Sequence, residues 1–222
     1  MIRLHGVLIF ICLFSACVSS YAQKGNKRDY INLSQKVDNF NFPMDSTAFY
    51  IPERILNPDK SNTNKISPIN AYFSKMLYDF HEPLLYNYND SAEIYRFTWL
   101  RTSNKPVLIK ISKRGKKITL NFKSLSSNTR YLHSVMVSDT TLVLTQKQWN
   151  HFKKLINKAG FWNLMAKTKD IGADGSYWGL EGVTIDYYQC VLRWSPKNDK
   201  FSKCCRYLIS LSNHNFEKSE IY

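Results

Sequence analysis

EIYRFTWLRTSNKPVLIKISKRGKKITLNFK, residues 93 to 123, decides the fold. Residues 93–101, 106–112 and 117–123 each mix β-branched or aromatic residues with polar ones, and Lys113, Arg114, Gly115 and Lys116 form a tight connection between the last two. Successive side chains on a strand point to opposite faces, so the stretch reads as an antiparallel meander. Val107, Ile109 and Ile111 alternate with Leu108, Lys110 and Ser112. Ile118, Leu120 and Phe122 alternate with Lys117, Thr119, Asn121 and Lys123. The alternation predicts one core face and one cationic face.

Working outward, Ser67 and Pro68 open a helix as N-cap and first-turn proline. Ile69, Tyr72, Phe73, Met76, Leu77 and Phe80 make one apolar stripe that ends before Pro83. Residues 23–66 are polar, rich in Asn and broken by prolines, and read as an irregular leader. Beyond the meander, a fourth strand covers 132–144. Thr145 and Gln148 then have the spacing of a capping box opening a helix over 146–158, with Gly160 as its stop. A hairpin spans 177–194, and Phe201, Cys204, Cys205, Leu208 and Leu211 recur at helical spacing over 200–212. The expected fold is α+β: one domain over 67–222, with an antiparallel sheet of five to six strands against two to three helices.

Charge is uneven. The 222 residues carry 31 Lys plus Arg against 17 Asp plus Glu, and residues 23–92 are balanced, with eight of each sign. Residues 93–222 hold 22 bases and nine acids, and residues 96–130 hold ten bases without one acid. Bases opposite one another on neighbouring strands repel, so such a sheet needs an anion, either from outside or from acids elsewhere in the chain. The outside reading makes Lys110, Arg114, Lys117 and Lys123 a binding face for anionic lipid, lipopolysaccharide or acidic glycan. Nucleic acid suits it poorly, because Arg96, Phe97 and Trp99 are too few for a single-strand platform.

Residues 1–22 read as a targeting segment. Arg3 and His5 precede an apolar run from Val7 to Phe14, and small residues end at Ala22, the layout of a secretory signal. A competing reading puts lipid on Cys17, after Leu13, Phe14, Ser15 and Ala16, although Phe14 stands where Leu is usual. The run is shorter than the roughly 20 residues a membrane span needs. Export to a periplasmic or secreted location makes disulfides possible, and Cys190 with Cys204 or Cys205 is the expected bridge. Vicinal Cys204 and Cys205 do not have a zinc spacing, and no metal site or cofactor fingerprint is present.

The words from Gly172 through Asp174, Gly175, Trp178, Leu180, Glu181 and Gly182, then Tyr188 and Arg193, Trp194, Ser195 and Pro196, resemble a group of uncharacterised exported bacterial proteins over residues 93–222. The resemblance implies export and a shared α+β unit, without a mechanism. On their own chemistry, Asp174, Trp178, Glu181, Arg193 and Trp194 offer carboxylates, an Arg and aromatic platforms for a sugar. Paired carboxylates among Asp174, Glu181 and Asp186 also suit glycoside hydrolysis. The favoured reading of these residues is a purely structural hairpin, with Glu181 paired to a base and Arg193 stacked on Trp178. Three functions follow: a non-catalytic envelope protein binding anionic components or a protein partner, an inhibitor or immunity-like protein using the 171–196 hairpin against an envelope hydrolase, and a carboxylate-based hydrolase.

Overall fold

Period-two alternation over residues 93–143 and 176–194 becomes a six-stranded antiparallel sheet. The structure, a computed structural model, describes residue 26 and residues 35–57, 66–88, 90–129, 133–168, 172 and 174–221. The expected signal, its cleavage point at Ala22 and Cys17 lie outside the described residues. The strands are β1 (Glu93–Arg101), β2 (Val107–Arg114), β3 (Lys117–Leu125), β4 (Met136–Val143), β5 (Ser176–Val183) and β6 (Tyr188–Trp194), in the spatial order β4-β3-β2-β1-β5-β6. Four consecutive strands form the meander, and the β5–β6 hairpin returns to the free side of β1.

Both faces of this sheet are covered, which corrects the expectation of one core face and one cationic face. Tyr95, Phe97, Trp99, Val107, Ile109, Ile111, Ile118 and Leu120 point to one side. There they meet α3 (Gln146–Ala159) and α4 (Lys200–Leu211) through Trp149, Phe152, Ile156, Phe201 and Leu208. Ile94, Leu100, Leu108, Val183 and Leu192 point to the other side. They meet α2 (Pro68–Asp79) through Phe73, Met76 and Leu77, and the 35–57 segment through Tyr50, Ile51 and Leu56. This second segment includes the single helical turn α1 (Glu53–Leu56).

Local signals end the helices where the spacing indicates. Thr145 Oγ1 accepts from the Gln148 amide while Gln148 Oε1 accepts from the Thr145 amide, and Gly160 stops α3 in the left-handed region at φ 63°. Pro68 does open α2, but Ser67 donates its hydroxyl to Glu53 Oε2 at 3.2 Å and makes no side-chain cap. Among the described residues no helix is long and apolar enough to cross a membrane.

The α2 layer sits close because β5 carries Gly179. A Cβ built there would lie 2.5 Å from Phe73 Cε1 and 3.1 Å from Leu192 Cδ2. Gly179→Val is therefore expected to overpack the interface and cost about 1–3 kcal/mol, read as a lower midpoint in thermal unfolding. An unchanged midpoint would mean that α2 is not held against β5.

Candidate functional site

On the α2 side, strand register places bases side by side: Arg96 lies opposite Lys110, and Lys110 opposite Asn121, two residues from Lys123. The anion these bases need comes from the chain itself. After α2 the backbone turns through His81, left-handed at φ 51°, and this turn directs Glu82 inward onto the sheet. Lys110 Nζ donates to Glu82 Oε1 and Oε2 at 2.9 and 2.7 Å, and Lys123 Nζ donates to Glu82 Oε1 at 2.7 Å. Lys123 Nζ also donates to the carbonyls of Phe80 and His81, so its three donors are used. Arg96 Nη1 lies 3.4 Å from Glu82 Oε2 and donates to the Pro83 carbonyl at 2.8 Å.

A second carboxylate completes the cluster. Glu181 stands directly opposite Arg96 in the β1–β5 register. It accepts from Arg96 Nε and Nη2 at 2.8 Å each, and from the Tyr188 hydroxyl at 2.8 Å. Two buried cations, Arg96 and Lys123, and the partly buried Lys110 thus share two buried carboxylates, with bidentate geometry at the Arg.

Burial alone would raise the pKa of the Glu82 carboxyl. The ammoniums of Lys110 and Lys123 and the Arg96 guanidinium overcome that and hold it at about 2. Burial pushes Lys110 down, Glu82 opposes this, and the neighbouring charges of Lys123 and Arg96 lower it further. The Glu82 shift makes folding stability depend on pH. With a folded value of about 2 against an ordinary 4.5, its contribution is complete above the ordinary value and is lost as pH falls toward 2. Roughly 3 kcal/mol is expected to disappear over that window in urea unfolding, and Glu82→Gln should flatten that part of the profile. An equally steep profile in Glu82→Gln would assign the acid sensitivity to other carboxylates.

The residues expected to form a cationic binding face therefore have different roles. Lys110 and Lys123 are corrected from surface ligands to internal partners of Glu82, their side chains only 21% and 8% exposed. Arg114 pairs with Asp90 at the surface. Lys117 stays exposed at the start of β3. The hairpin residues are not brought together either. Trp178 is fully buried on the α3–α4 side, against Phe97 and Trp99. Glu181 is buried on the α2 side. Arg193 spans out from β6 to donate to the Met165 carbonyl at 2.9 Å and lies over Phe201 rather than Trp178. Trp194 meets Tyr177 edge-on at 4.5 Å.

Asp174 and Asp186 are exposed, but they flank opposite ends of β5. Eight residues of strand separate them by roughly 25 Å. Paired glycosidase carboxylates stand about 5–9.5 Å apart, so this pair does not fit that chemistry. Among the described residues no group of three or more His, Cys, Asp or Glu side chains could hold a metal ion.

The expected disulfide is also corrected. Cys190, Cys204 and Cys205 are free and buried. Cys190 lies in the α2-side core, whereas Cys204 and Cys205 lie in the α3–α4 core, so the sheet stands between them. Burial pushes the Cys204 thiol up to about 12 and raises Cys190 and Cys205 well above the ordinary thiol range, so none is poised as a nucleophile.

What remains outside is a basic helical layer that the spacing of single helices did not reveal. α3 and α4 carry Lys147, Lys153, Lys154, Lys158, Lys200, Lys203 and Arg206 and no acid. The helices pack side by side, with the His151 and Tyr207 rings 4.6 Å apart and the Tyr207 hydroxyl donating to the Gln148 carbonyl. Lys113 donates to Gln146, which brings the β2–β3 turn with Lys116 and Lys117 to the start of α3. Lys153 pairs with Glu93. Lys116, Lys117, Lys147, Lys154, Lys158, Lys200 and Lys203 are exposed, and no ion pair among the described residues involves them.

No family model matches the chain. No curated protein matches it either.

Proposed function

We propose that this chain is an exported, non-catalytic protein that binds anionic lipid head groups of an envelope surface through the outer face of α3 and α4 and the adjoining β2–β3 turn. The observation that carries this reading is the contrast between two sets of cations. Arg96, Lys110 and Lys123 of the sheet are paired inside the fold with Glu82 and Glu181. The helical layer presents five exposed lysines, Lys147, Lys154, Lys158, Lys200 and Lys203, and the adjoining turn and start of β3 add Lys116 and Lys117.

Such a layer attracts a negatively charged surface by summed Coulomb forces and needs no specific pocket. Each base near an anionic bilayer contributes about 1 kcal/mol, so several give reversible adhesion. The inhibitor reading gains less support, because Trp178 and Glu181 of the hairpin are buried inside the fold.

Co-sedimentation with vesicles tests the proposal. The protein should pellet with vesicles containing anionic lipid at low salt, stay in solution with neutral vesicles, and be released at high salt as the charges are screened. Absence from the anionic pellet, or binding indifferent to salt, would refute it.

A further inference from the structure

The two edges of the sheet are treated differently. At β6, the chain covers its own edge: Lys167 bridges to Leu192, the Leu192 amide donates to the Ala166 carbonyl, and Asn26 bridges to Tyr187. At β4, one side pairs with β3, and among the described residues no strand pairs with the other. An open edge presents unpaired amides and carbonyls and invites another strand, and proteins usually guard it with lysine, proline or a very short strand.

β4 has few such guards. It is eight residues long, MVSDTTLV, and residues 131–146 contain no Lys, Arg or Pro. Val137 and Val143 are 54% and 80% exposed along it, and Val135 just before it is 70% exposed. One bulge, between Ser124 and Leu125 opposite Met136 and Ser138, interrupts its pairing with β3.

We propose that the outer edge of β4 pairs antiparallel with β4 of a second copy of this chain, joining two six-stranded sheets into one of twelve. The occupant follows from charge. The chain carries a formal net charge of +14, so two copies repel over most of their surfaces. Residues 131–146 are a run of the basic half without Lys or Arg and with one acid, Asp139, so the open backbone edge lies in a stretch that adds no lysine or arginine charge to that repulsion. A strand paired with itself across a two-fold axis meets the same base-free, valine-bearing edge on both sides.

The geometry has a consequence that rests on the lipid-binding reading above. Antiparallel strands of one sheet are related by a two-fold axis perpendicular to that sheet, so each face continues as the same face in the second copy. The α3–α4 layers of both copies then lie on one side, and their bases approach a flat anionic surface together. Linking two such layers raises avidity without any new contact to lipid.

The ladder is short and lies at the low end of interface size, so a dissociation constant on the order of 10 μM is expected. Sedimentation velocity of the purified chain over a concentration series tests the pairing. A monomer–dimer equilibrium that strengthens with salt is expected, because screening weakens repulsion between copies. Vesicle binding should weaken with salt, so failure of one idea is distinguishable from failure of the other. The double variant Val137→Lys, Val143→Lys places lysines on the edge and should leave a folded monomer. Hydrogen exchange on the unaltered chain supplies a second readout: β4 amides should exchange more slowly at high than at low protein concentration. A monomer at every concentration with concentration-independent exchange would overturn the proposal. So would a dimer that survives in a folded double variant, or a monomer whose β4 is protected only by an added extended peptide.

Discussion

Replacing Glu82 with Ala is expected to lower the melting temperature by about 10 °C. Without this carboxylate, Lys110 and Lys123 lose their carboxylate partner inside the fold. Arg96 keeps the Pro83 carbonyl and one carboxylate, Glu181, which Tyr188 shares. Removing one partner of a buried ion cluster leaves uncompensated charge and costs about 3–5 kcal/mol. For a domain of this size each kcal/mol moves the midpoint by roughly 2–4 °C. Adding Lys123→Met to Glu82→Ala should recover part of the loss, because the second change removes a charge that the first leaves stranded. Simple addition of the two losses would show that the residues are not coupled.

The second large effect concerns binding. The quadruple variant Lys154→Glu, Lys158→Glu, Lys200→Glu, Lys203→Glu alters exposed positions on both helices. At about 1 kcal/mol per base, removing four attractive charges lowers affinity for anionic vesicles on the order of 1,000-fold, and the four new acids add repulsion. Stability should change little, since none of these lysines has an ion-pair partner among the described residues. Vesicle titration and a thermal melt on the same sample check both halves. Retained affinity in a folded variant would remove the helical layer from the account.

The two effects divide along a line that was only partly legible in the sequence. The meander, the capping box at Thr145 and Gln148 and the stop at Gly160 are local patterns, and the structure has them where the spacing places them. Glu82 was not legible as the counter-ion. It is 14 residues from Arg96, 28 from Lys110 and 41 from Lys123, and nothing local shows that α2 ends over those three strands. The balanced charge of residues 23–92 beside a basic half was the available signal, without a way to choose among eight acids. The Arg96–Glu181 pair needed the further knowledge that β5 returns beside β1, an 85-residue separation.

Trp178 and Glu181 are three residues apart on a strand, which puts them on opposite faces, so they could not share one binding surface. The disulfide required more: which face Cys190 takes depends on the register of β6 with β5, and which face α4 covers depends on a connection that periodicity does not reveal. The basic helical layer was visible as two separate amphipathic helices. Their joint surface follows from packing side by side over one face of the sheet.

The division of cations between an internal set and an outward set is tested most directly by amine labelling with mass-spectrometric readout, with and without anionic vesicles. Lys123 and Lys110 should label at least ten times more slowly than Lys154, Lys158, Lys200 and Lys203 in the free protein, and vesicles should slow only the latter group. Lys123 labelling as fast as Lys154, or helical lysines labelling at the same rate in the presence of vesicles, would contradict the account.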